Sequence, residues 1–184
     1  MVLVNIVFAA LATILLFWTI SLLISAFAGA PSVFAENKAI DEAFKLAKLQ
    51  KDELVVDLGC GDAKSLILAA RKFSARGLGV EISPFYFLKA KLKVLLSGQS
   101  KKIKIVFGNF KKIERELKSA DLLYLYLWEN LLQKNEEWIF QSINPKARIV
   151  SLSFPFAKHK ADQIKEVANA RAVRKIYFYQ SPID

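Results

Sequence analysis

The stretch Val55-Val56-Asp57-Leu58-Gly59-Cys60-Gly61-Asp62-Ala63-Lys64-Ser65 decides how the rest of the chain is interpreted. Its apolar start is typical of a buried strand, and the apolar run over 66–70 is typical of a helix. Gly59 and Gly61 lie in the turn between the two. Because glycine has no Cβ, backbone N–H groups can approach a ligand there and the turn can adopt positive φ. The sequence therefore predicts a small-molecule site on this turn.

The next predicted strand, Leu78-Gly79-Val80-Glu81-Ile82, carries an acid twenty residues after Gly61. A carboxylate at that position can accept both hydroxyl groups of a ribose. A dinucleotide-binding fingerprint would need a third glycine where Lys64 stands. Asp57, just before the turn, is better placed to meet the ammonium group of an amino-acid-bearing cofactor. The pattern therefore favours S-adenosylmethionine.

These motifs resemble those of the class I S-adenosylmethionine-dependent methyltransferases. Among them, the chain is most similar to the small protein-lysine methyltransferase family that includes archaeal broad-range enzymes and the mitochondrial ATP synthase c-subunit lysine methyltransferase. The resemblance covers residues 31–184, and the motifs that carry it are 57–62, 79–82, 108–110, 147–151 and 154–156. The chain departs from the family at Ala63-Lys64, where Gly-Arg is usual, and at Phe34-Ala35-Glu36, where Pro-Thr-Pro is usual. Ala63 adds one methyl group near the expected cofactor.

The resemblance implies an α/β, Rossmann-like class I methyltransferase fold. Its sheet is mostly parallel and seven-stranded, with a C-terminal antiparallel strand pair. Asn109 is expected to bind the adenine edge, although an ordinary Gly-Asn turn is the alternative. Cys60 lies inside the glycine turn, where a lone cysteine is more often a small packing residue. The expected S-adenosylmethionine-binding residues are Asp57, Gly59, Cys60, Gly61, Glu81, Ile82, Asn109 and Phe110.

The first thirty residues form a separate segment. Residues 2–30 carry no charged side chain, and this run exceeds the roughly 20 residues that cross a bilayer as a helix. We therefore predict a transmembrane anchor over 1–31 and a methyltransferase domain over 32–184. A signal peptide ending near Val33-Phe34-Ala35 is the competing interpretation, but the segment lacks a basic start and its apolar core is too long.

The flanks of this segment predict its orientation. Lys38, Lys45, Lys48 and Lys51 follow the apolar run, and no lysine or arginine precedes it. The positive-inside rule then predicts a single-pass membrane protein with its domain on the cytoplasmic, or matrix-equivalent, side.

The remaining elements follow from periodicity and breaker residues. Residues 38–49 have the apolar spacing of an amphipathic helix that covers the sheet. Strands are predicted over 55–58, 77–82, 103–107, 122–128 and 148–154, with a strand pair over 163–168 and 174–179 around Asn169-Ala170. Helices are predicted from the glycine turn to about residue 73 and over 84–96, 113–117 and 131–143.

Candidate catalytic residues follow the predicted strand over 122–128, whose carboxyl end should open into the ligand crevice. They are Trp128, Glu129 and Asn130. Glu129 would attract a lysine ammonium group and pass its proton to water, while Trp128 or Tyr126 would hold the amine over a ring face. The alternatives are a solvated helix start for Glu129 and sheet packing for Tyr124 and Tyr126.

The formal net charge is +10. Basic residues at 101–102, 111–112 and 158–160 would suit either an anionic membrane surface or nucleic acid phosphates. Trp128-Glu129-Asn130 is not the Asn/Asp-Pro-Pro-aromatic motif that amino-methylating nucleic acid enzymes usually show, so nucleic acid is not the expected partner. His159 lacks partners at metal-ligand spacing, and we predict no metal site.

The sequence as a whole predicts a membrane-anchored methyltransferase that acts on lysine side chains of a membrane or membrane-adjacent protein. One alternative is a non-catalytic, membrane-tethered ligand-binding or scaffold domain with the same fold. Another is a nucleic acid or small-molecule methyltransferase.

Overall fold

A computed structural model describes residues 1–27, 35–168 and 173–180. The strands in these ranges are β1 Leu54–Leu58, β2 Arg76–Glu81, β3 Ile103–Phe107, β4 Leu122–Leu125, β5 Arg148–Leu152, β6 Gln163–Ala168 and β7 Val173–Tyr179. The α-helices are α1 Val2–Phe27, α2 Asn37–Leu46, α3 Lys64–Lys72, α4 Pro84–Leu96, α5 Glu114–Leu117, α6 Glu129–Lys134 and α7 Glu136–Ser142. A 3-10 helix, Phe110–Ile113, precedes α5.

The strands form one seven-stranded sheet in the order β3-β2-β1-β4-β5-β7-β6. β1 pairs in parallel with β2 and β4, while β7 is antiparallel to both β5 and β6. The predicted mostly parallel sheet with a C-terminal antiparallel pair is confirmed. Because the strand order reverses beside β1, the carboxyl ends of β1, β2 and β4 flank the crevice where such sheets bind ligands.

The central strands are apolar because helices cover both faces of the sheet. All four residues of β4 are buried, as are the last four of β1. On one face, Phe44 of α2 and Leu66 of α3 belong to a core with Val55. On the other face, Ile139 of α7 packs in a second core with Leu123. These two cores fix the central strands and therefore the crevice at their ends.

The predicted single helix over 131–143 is wrong. The structure has two helices there, α6 and α7, separated at Asn135, whose φ is −110° and ψ is 7°. The Asn135 side-chain amide donates to the Leu131 carbonyl at 2.8 Å. An asparagine side chain that bonds nearby backbone competes with helix continuation, and this explains the break.

Two predicted strands are also shorter than expected. The strand predicted over 122–128 ends at Leu125, and the one over 148–154 ends at Leu152. Ser153 has a φ of 73°, which ends the extended conformation. The predicted turn Asn169-Ala170 lies outside the described residues, as does the predicted boundary at residue 31.

α1 is long and apolar enough to cross a membrane, a property that signal sequences near the N-terminus share. In its apolar window, Val2–Ser21, residues 2–20 are all exposed, whereas Ser21 is buried. Near its C-terminal end, Ser21 Oγ shares a hydrogen bond of 2.6 Å with Ser83 Oγ, and the Phe85 N–H donates to Ser21 Oγ at 3.1 Å. α1 therefore contacts the domain where α4 begins.

Candidate active site

The glycine turn joins β1 to α3 at the carboxyl edge of the sheet. Gly59 and Gly61 have φ values of +77° and +56°. The N–H groups of Gly59 and Cys60 both donate to the Val80 carbonyl at 2.9 Å, which fastens the turn to β2. A Cβ on Gly59 would lie 3.1 Å from Leu127, whereas a Cβ on Gly61 would meet no atom within 4 Å. The turn is therefore closed against the sheet and open at Gly61.

Cys60 packs inward from this turn and is 6% exposed. A Cβ on Gly79 would lie 2.6 Å from Cys60 Sγ, so the thiol occupies the space that glycine leaves on β2. Burial raises the pKa of this thiol well above its ordinary value. Cys60 thus has the packing role that the sequence suggested as an alternative, although it also lines the cleft described below.

Asp57, near the end of β1, is 4% exposed and accepts a hydrogen bond from Ser65 Oγ. The pKa of its carboxyl group is raised to about 7, mainly by burial and to a smaller extent by the carboxylates of Glu81 and Asp62, while the bond from Ser65 opposes the shift. The surrounding charges that act on Asp57 are thus acidic. A cationic ligand would favour the carboxylate form.

Glu81 is the last residue of β2 and is 7% exposed. Its Oε2 accepts the Gly61 N–H at 2.8 Å, and its Oε1 accepts the Ser83 N–H at 2.8 Å. Burial raises the pKa of Glu81, and these backbone bonds oppose the rise. Each carboxylate oxygen has further lone-pair capacity, so the group can still accept hydroxyl groups. The predicted spacing between glycine turn and acid therefore corresponds to a direct contact.

A cleft of about 390 Å³, including space open to solvent, lies over the turn. Tyr124 Oη is buried there and has no hydrogen-bond partner among the described residues. Buried hydroxyl groups are normally satisfied, so a bound ligand would complete this one. The lining residues are Ala35, Ile40, Asp57, Gly59, Cys60, Gly61, Asp62, Lys64, Ser65, Tyr124 and Tyr126.

The predicted adenine-binding residues lie outside this cleft lining. Ile82 is half-buried after β2. Asn109 is exposed, and its Oδ1 accepts the Lys111 N–H at 2.9 Å, which caps the 3-10 helix. The Phe110 ring packs against Trp138 with centroids 5.3 Å apart. Asn109 therefore adopts the turn geometry that was its alternative interpretation, and its role toward adenine stays a prediction.

The predicted catalytic residues lie together just past β4. The Trp128 ring packs against Phe154 with centroids 5.5 Å apart and remains 43% exposed. Glu129 and Asn130 are exposed in the first turn of α6, where Glu129 Oε1 accepts the Gln133 side-chain amide at 3.2 Å. The structure thus gives Glu129 the position of a solvated helix start. That position also leaves it accessible to an incoming substrate.

Sequence reasoning did not place Ser65 or Tyr124 in the cofactor site, although both line the cleft, and it expected Tyr126 either at the acceptor amine or in sheet packing. Tyr124 does pack against Phe44, with centroids 5.5 Å apart, as predicted for sheet packing. It also stands beside Asp57 in the β1–β4 register. A serine at the first helical turn after an acidic strand end was the available signal for Ser65. The strand register that brings Tyr124 to Asp57 has no local signal.

Sheet order, glycine turn and acidic strand end together define a class I methyltransferase. The family model described as the ANTKMT methyltransferase domain matches residues 57–163, more than half of the chain. The chain belongs to this family. A protein-lysine N-methyltransferase of Saccharolobus islandicus (strain REY15A) is 27% identical over 150 residues, which cover 81% of this chain and 92% of that protein.

Two solved structures show the fold relationship. An RNA methyltransferase from Salinibacter ruber in complex with S-adenosyl-L-homocysteine has a TM-score of 0.74 and 26% identity, covering 83% of this chain and 95% of that one. The B. subtilis m1A22 tRNA methyltransferase TrmK has a TM-score of 0.67 and 15% identity, covering 83% and 68% respectively, and it is similar in fold alone.

S-adenosylmethionine is the cofactor of this chain, as predicted. The residues present fit it: an acidic pocket beside Asp57 suits its ammonium group, the open side of Gly61 leaves room for it, and the unsatisfied Tyr124 hydroxyl group offers a polar contact. Among the described residues, no group of three or more His, Cys, Asp or Glu could hold a metal ion.

Proposed function

We propose that this methyltransferase is anchored in a membrane by α1 and methylates lysine side chains of a protein in or beside that membrane. The single observation that carries the acceptor class is the similarity to the Saccharolobus protein-lysine N-methyltransferase, which covers 81% of this chain and 92% of that protein. The proposed membrane anchor is supported by the length and apolar composition of α1.

The anchor fits the dimensions of a bilayer. The 20 residues of Val2–Ser21 extend about 30 Å as a helix, the thickness of the hydrocarbon core. Two observations favour a retained anchor over a cleaved signal: the segment lacks a basic start, and Ser21 is hydrogen-bonded to the domain at Ser83. Lysines after the span, such as Lys38 and Lys45, favour a domain on the cytoplasmic or matrix-equivalent side. In this proposal residues 1–31 form the anchor and 32–184 the catalytic domain.

The cofactor would be held at the open ends of β1 and β2. Asp57 would pair with its ammonium group, Glu81 would accept its ribose hydroxyl groups, and Asn109 would bind the adenine edge. When bound, S-adenosylmethionine supplies a methyl group on a sulfonium centre, which a neutral amine attacks in line. The protein therefore has to position the amine and exclude water.

The acceptor lysine would enter past β4. Trp128 and Phe154 form an apolar wall there, and an exposed ring face can hold a cationic amine. Glu129 would attract the ammonium group and receive its proton through water. Asn130 would bind the amine or the backbone of the substrate protein. Their exposure at the beginning of α6 makes these three residues accessible to a protein substrate.

The proposal is tested with membranes from cells that lack this protein. Full-length enzyme in detergent is added with S-adenosylmethionine that carries a tritiated methyl group, and label is followed in protein and nucleic acid fractions. We expect label on lysines of membrane proteins, identified by mass spectrometry. Glu129→Gln should lower the rate, whereas the control Glu166→Gln, on edge strand β6, should not.

An RNA acceptor is the second candidate function. It is favoured by the Salinibacter RNA methyltransferase match and by the net charge of +10. Label in the RNA fraction would support it against the lysine proposal. Cofactor binding without label in any fraction would support the non-catalytic alternative instead. Calorimetry shows whether the cofactor binds at all, and Glu81→Ala, which should abolish that binding, is the control.

A further inference from the structure

α4 presents leucines away from the core. Leu88, Leu92, Leu95 and Leu96 are 55%, 56%, 65% and 75% exposed. Their spacing places them on one side of the helix, where a soluble domain normally carries polar residues. The opposite side, which faces the sheet, buries only small or short residues, Ala90 and Val94.

This leucine face continues beside α1. The first turn of α4 binds the end of the apolar α1 window, through the Ser21–Ser83 hydrogen bond and the Phe85 N–H bond to Ser21. By helical spacing Phe85 lies on the same side of α4 as Leu88 and Leu92. The exposed apolar surface of α1 and that of α4 therefore meet at this junction.

Basic residues border the leucine face. By helical spacing Lys91 lies on one flank and Lys89 on the other. Lys93 lies farther round the helix and is paired with Asp62 of the glycine turn. Lys91 and Lys104 of β3 also line an open groove between α4 and this edge strand, together with Leu92 and Leu95. Apolar side chains flanked by lysines are the pattern of helices that lie in the interface of anionic membranes, because the aliphatic stems reach the acyl chains while the ammonium groups stay among the headgroups.

We propose that the leucine face of α4 lies in the headgroup and acyl boundary of the same bilayer that α1 spans. This inference rests on the proposed membrane anchor. The occupant is lipid rather than a protein partner because the face is continuous with the apolar surface of α1 and is bordered by cations that suit anionic headgroups. The domain would then be held at two places, so that it cannot turn freely about α1.

Such a placement bears on the acceptor. α4 begins at the carboxyl edge of the sheet, where β2 ends, and it leads to the edge strand β3. The end of β4, where the acceptor would enter, lies three strand spacings from β3, or about 14 Å across the sheet. The catalytic edge would therefore stay close to the membrane surface. Lysines that emerge at the headgroup level would be the substrates within reach.

The test uses the full chain in vesicles of phosphatidylcholine and phosphatidylglycerol in a three-to-one ratio. Nitroxide labels are placed singly at Leu92→Cys, with Leu96→Cys as a second position on the same face. Leu11→Cys in α1 reports the anchor, and Ile164→Cys, 60% exposed on the opposite edge strand β6, is the matched exposed apolar control. Collisions with oxygen and with a water-soluble nickel complex then report the depth of each label. Unsubstituted protein measures any label on the buried Cys60.

We expect the labels at Leu92 and Leu96 to lie about 5–10 Å into the boundary, the Leu11 label deeper and the Ile164 label in water. If Leu92 and Leu96 match Ile164 while Leu11 stays in the bilayer, this inference fails and the anchor stands. Protection of the α4 labels from both oxygen and nickel would show that protein covers the face, which also overturns the inference. A Leu11 label in water would overturn the anchor itself.

Discussion

α3 and α4 have equivalent positions in the topology, but they differ in which side carries large apolar side chains. Both connect one parallel strand to the next, and residues of both belong to the same core. α3 buries Leu66 and leaves Arg71 and Lys72 exposed. α4 buries Ala90 and leaves its four leucines exposed. The sheet therefore sets where a crossover helix lies, while the distribution of large apolar side chains decides what the outer side of that helix contacts.

The beginnings of the two helices also differ, in what they contact. Ala63, the N-cap residue before α3, has a φ of 60° and lies beside the buried Asp57–Ser65 hydrogen bond. α4 is capped by Ser83, which accepts the Tyr86 N–H at 3.4 Å and also contacts α1. The start of α3 therefore serves the cofactor site, and the start of α4 serves the junction with α1. Glu81 joins the two by accepting one N–H from each region.

The largest expected difference between the helices is in stability. Leu66 is fully buried, so Leu66→Ala should lower the free energy of unfolding by about 2–5 kcal/mol. Leu92→Ala, on the exposed side of α4, should change it by no more than about 0.5 kcal/mol. Urea unfolding of the detergent-solubilised protein, followed by near-ultraviolet circular dichroism, measures both. Equal losses would show that Leu92 packs against the domain and would remove the contrast.

This contrast marks one limit of sequence interpretation. Pro84 at its first turn and the loop over 97–100 predicted a helix over 84–96 with the observed bounds, but such end signals do not say which side of the helix meets the sheet. In α3 the large apolar residue Leu66 is buried against the core, whereas in α4 the four leucines lie away from it. The choice is made by the space over β2 and β3, where Ala90 and Val94 fit, and that space exists only once the strands are paired.

The cofactor turn was more predictable because its signals are local. Gly59, Gly61 and Glu81 each end or follow a strand, and parallel neighbours bring such ends together. The Glu81 bond to the Gly61 N–H realises that expectation. Tyr124 lies 67 residues from Asp57 and could not be placed beside it without the strand register. The break at Asn135 was missed because one side-chain bond overrides an otherwise helical pattern.

The second prediction concerns protons at the start of α3. The pKa of Asp57 is raised from 3.8 to about 7 in the folded protein, so its carboxyl group holds a proton below that pH. Its contribution to the stability of the cofactor-free protein is therefore fully present below about pH 4 and is lost as pH rises to about 7. An ammonium group needs the carboxylate, so cofactor affinity should rise with pH, by about tenfold per unit below pH 7.

Calorimetric titration with S-adenosylhomocysteine between about pH 5.5 and pH 8 tests this prediction around the pKa of about 7. Asp57→Asn should weaken binding at the upper end and remove the pH dependence. The control is Asp62→Asn, which leaves the same turn but loses the ion pair of 2.5 Å with Lys93 of α4. It should retain the rise with pH. A pH dependence that persists in Asp57→Asn would assign the proton to another group and weaken the link between α3 and the cofactor.

The smallest expected effect compares a glycine at each helix. Gly61 before α3 and Gly98 after α4 have φ values of +56° and +73°, and a Cβ on either would meet no atom within 4 Å. Alanine in this conformation costs roughly 1 kcal/mol of stability at each position. Only Gly61 lines the cleft, so Gly61→Ala should also weaken S-adenosylhomocysteine binding by about fivefold, or about 1 kcal/mol. Unfolding and calorimetry of both variants separate these effects. Unchanged affinity in Gly61→Ala would mean that the open side of the turn does not face the cofactor, whereas reduced affinity in Gly98→Ala would show that strain anywhere near α4 reaches the site.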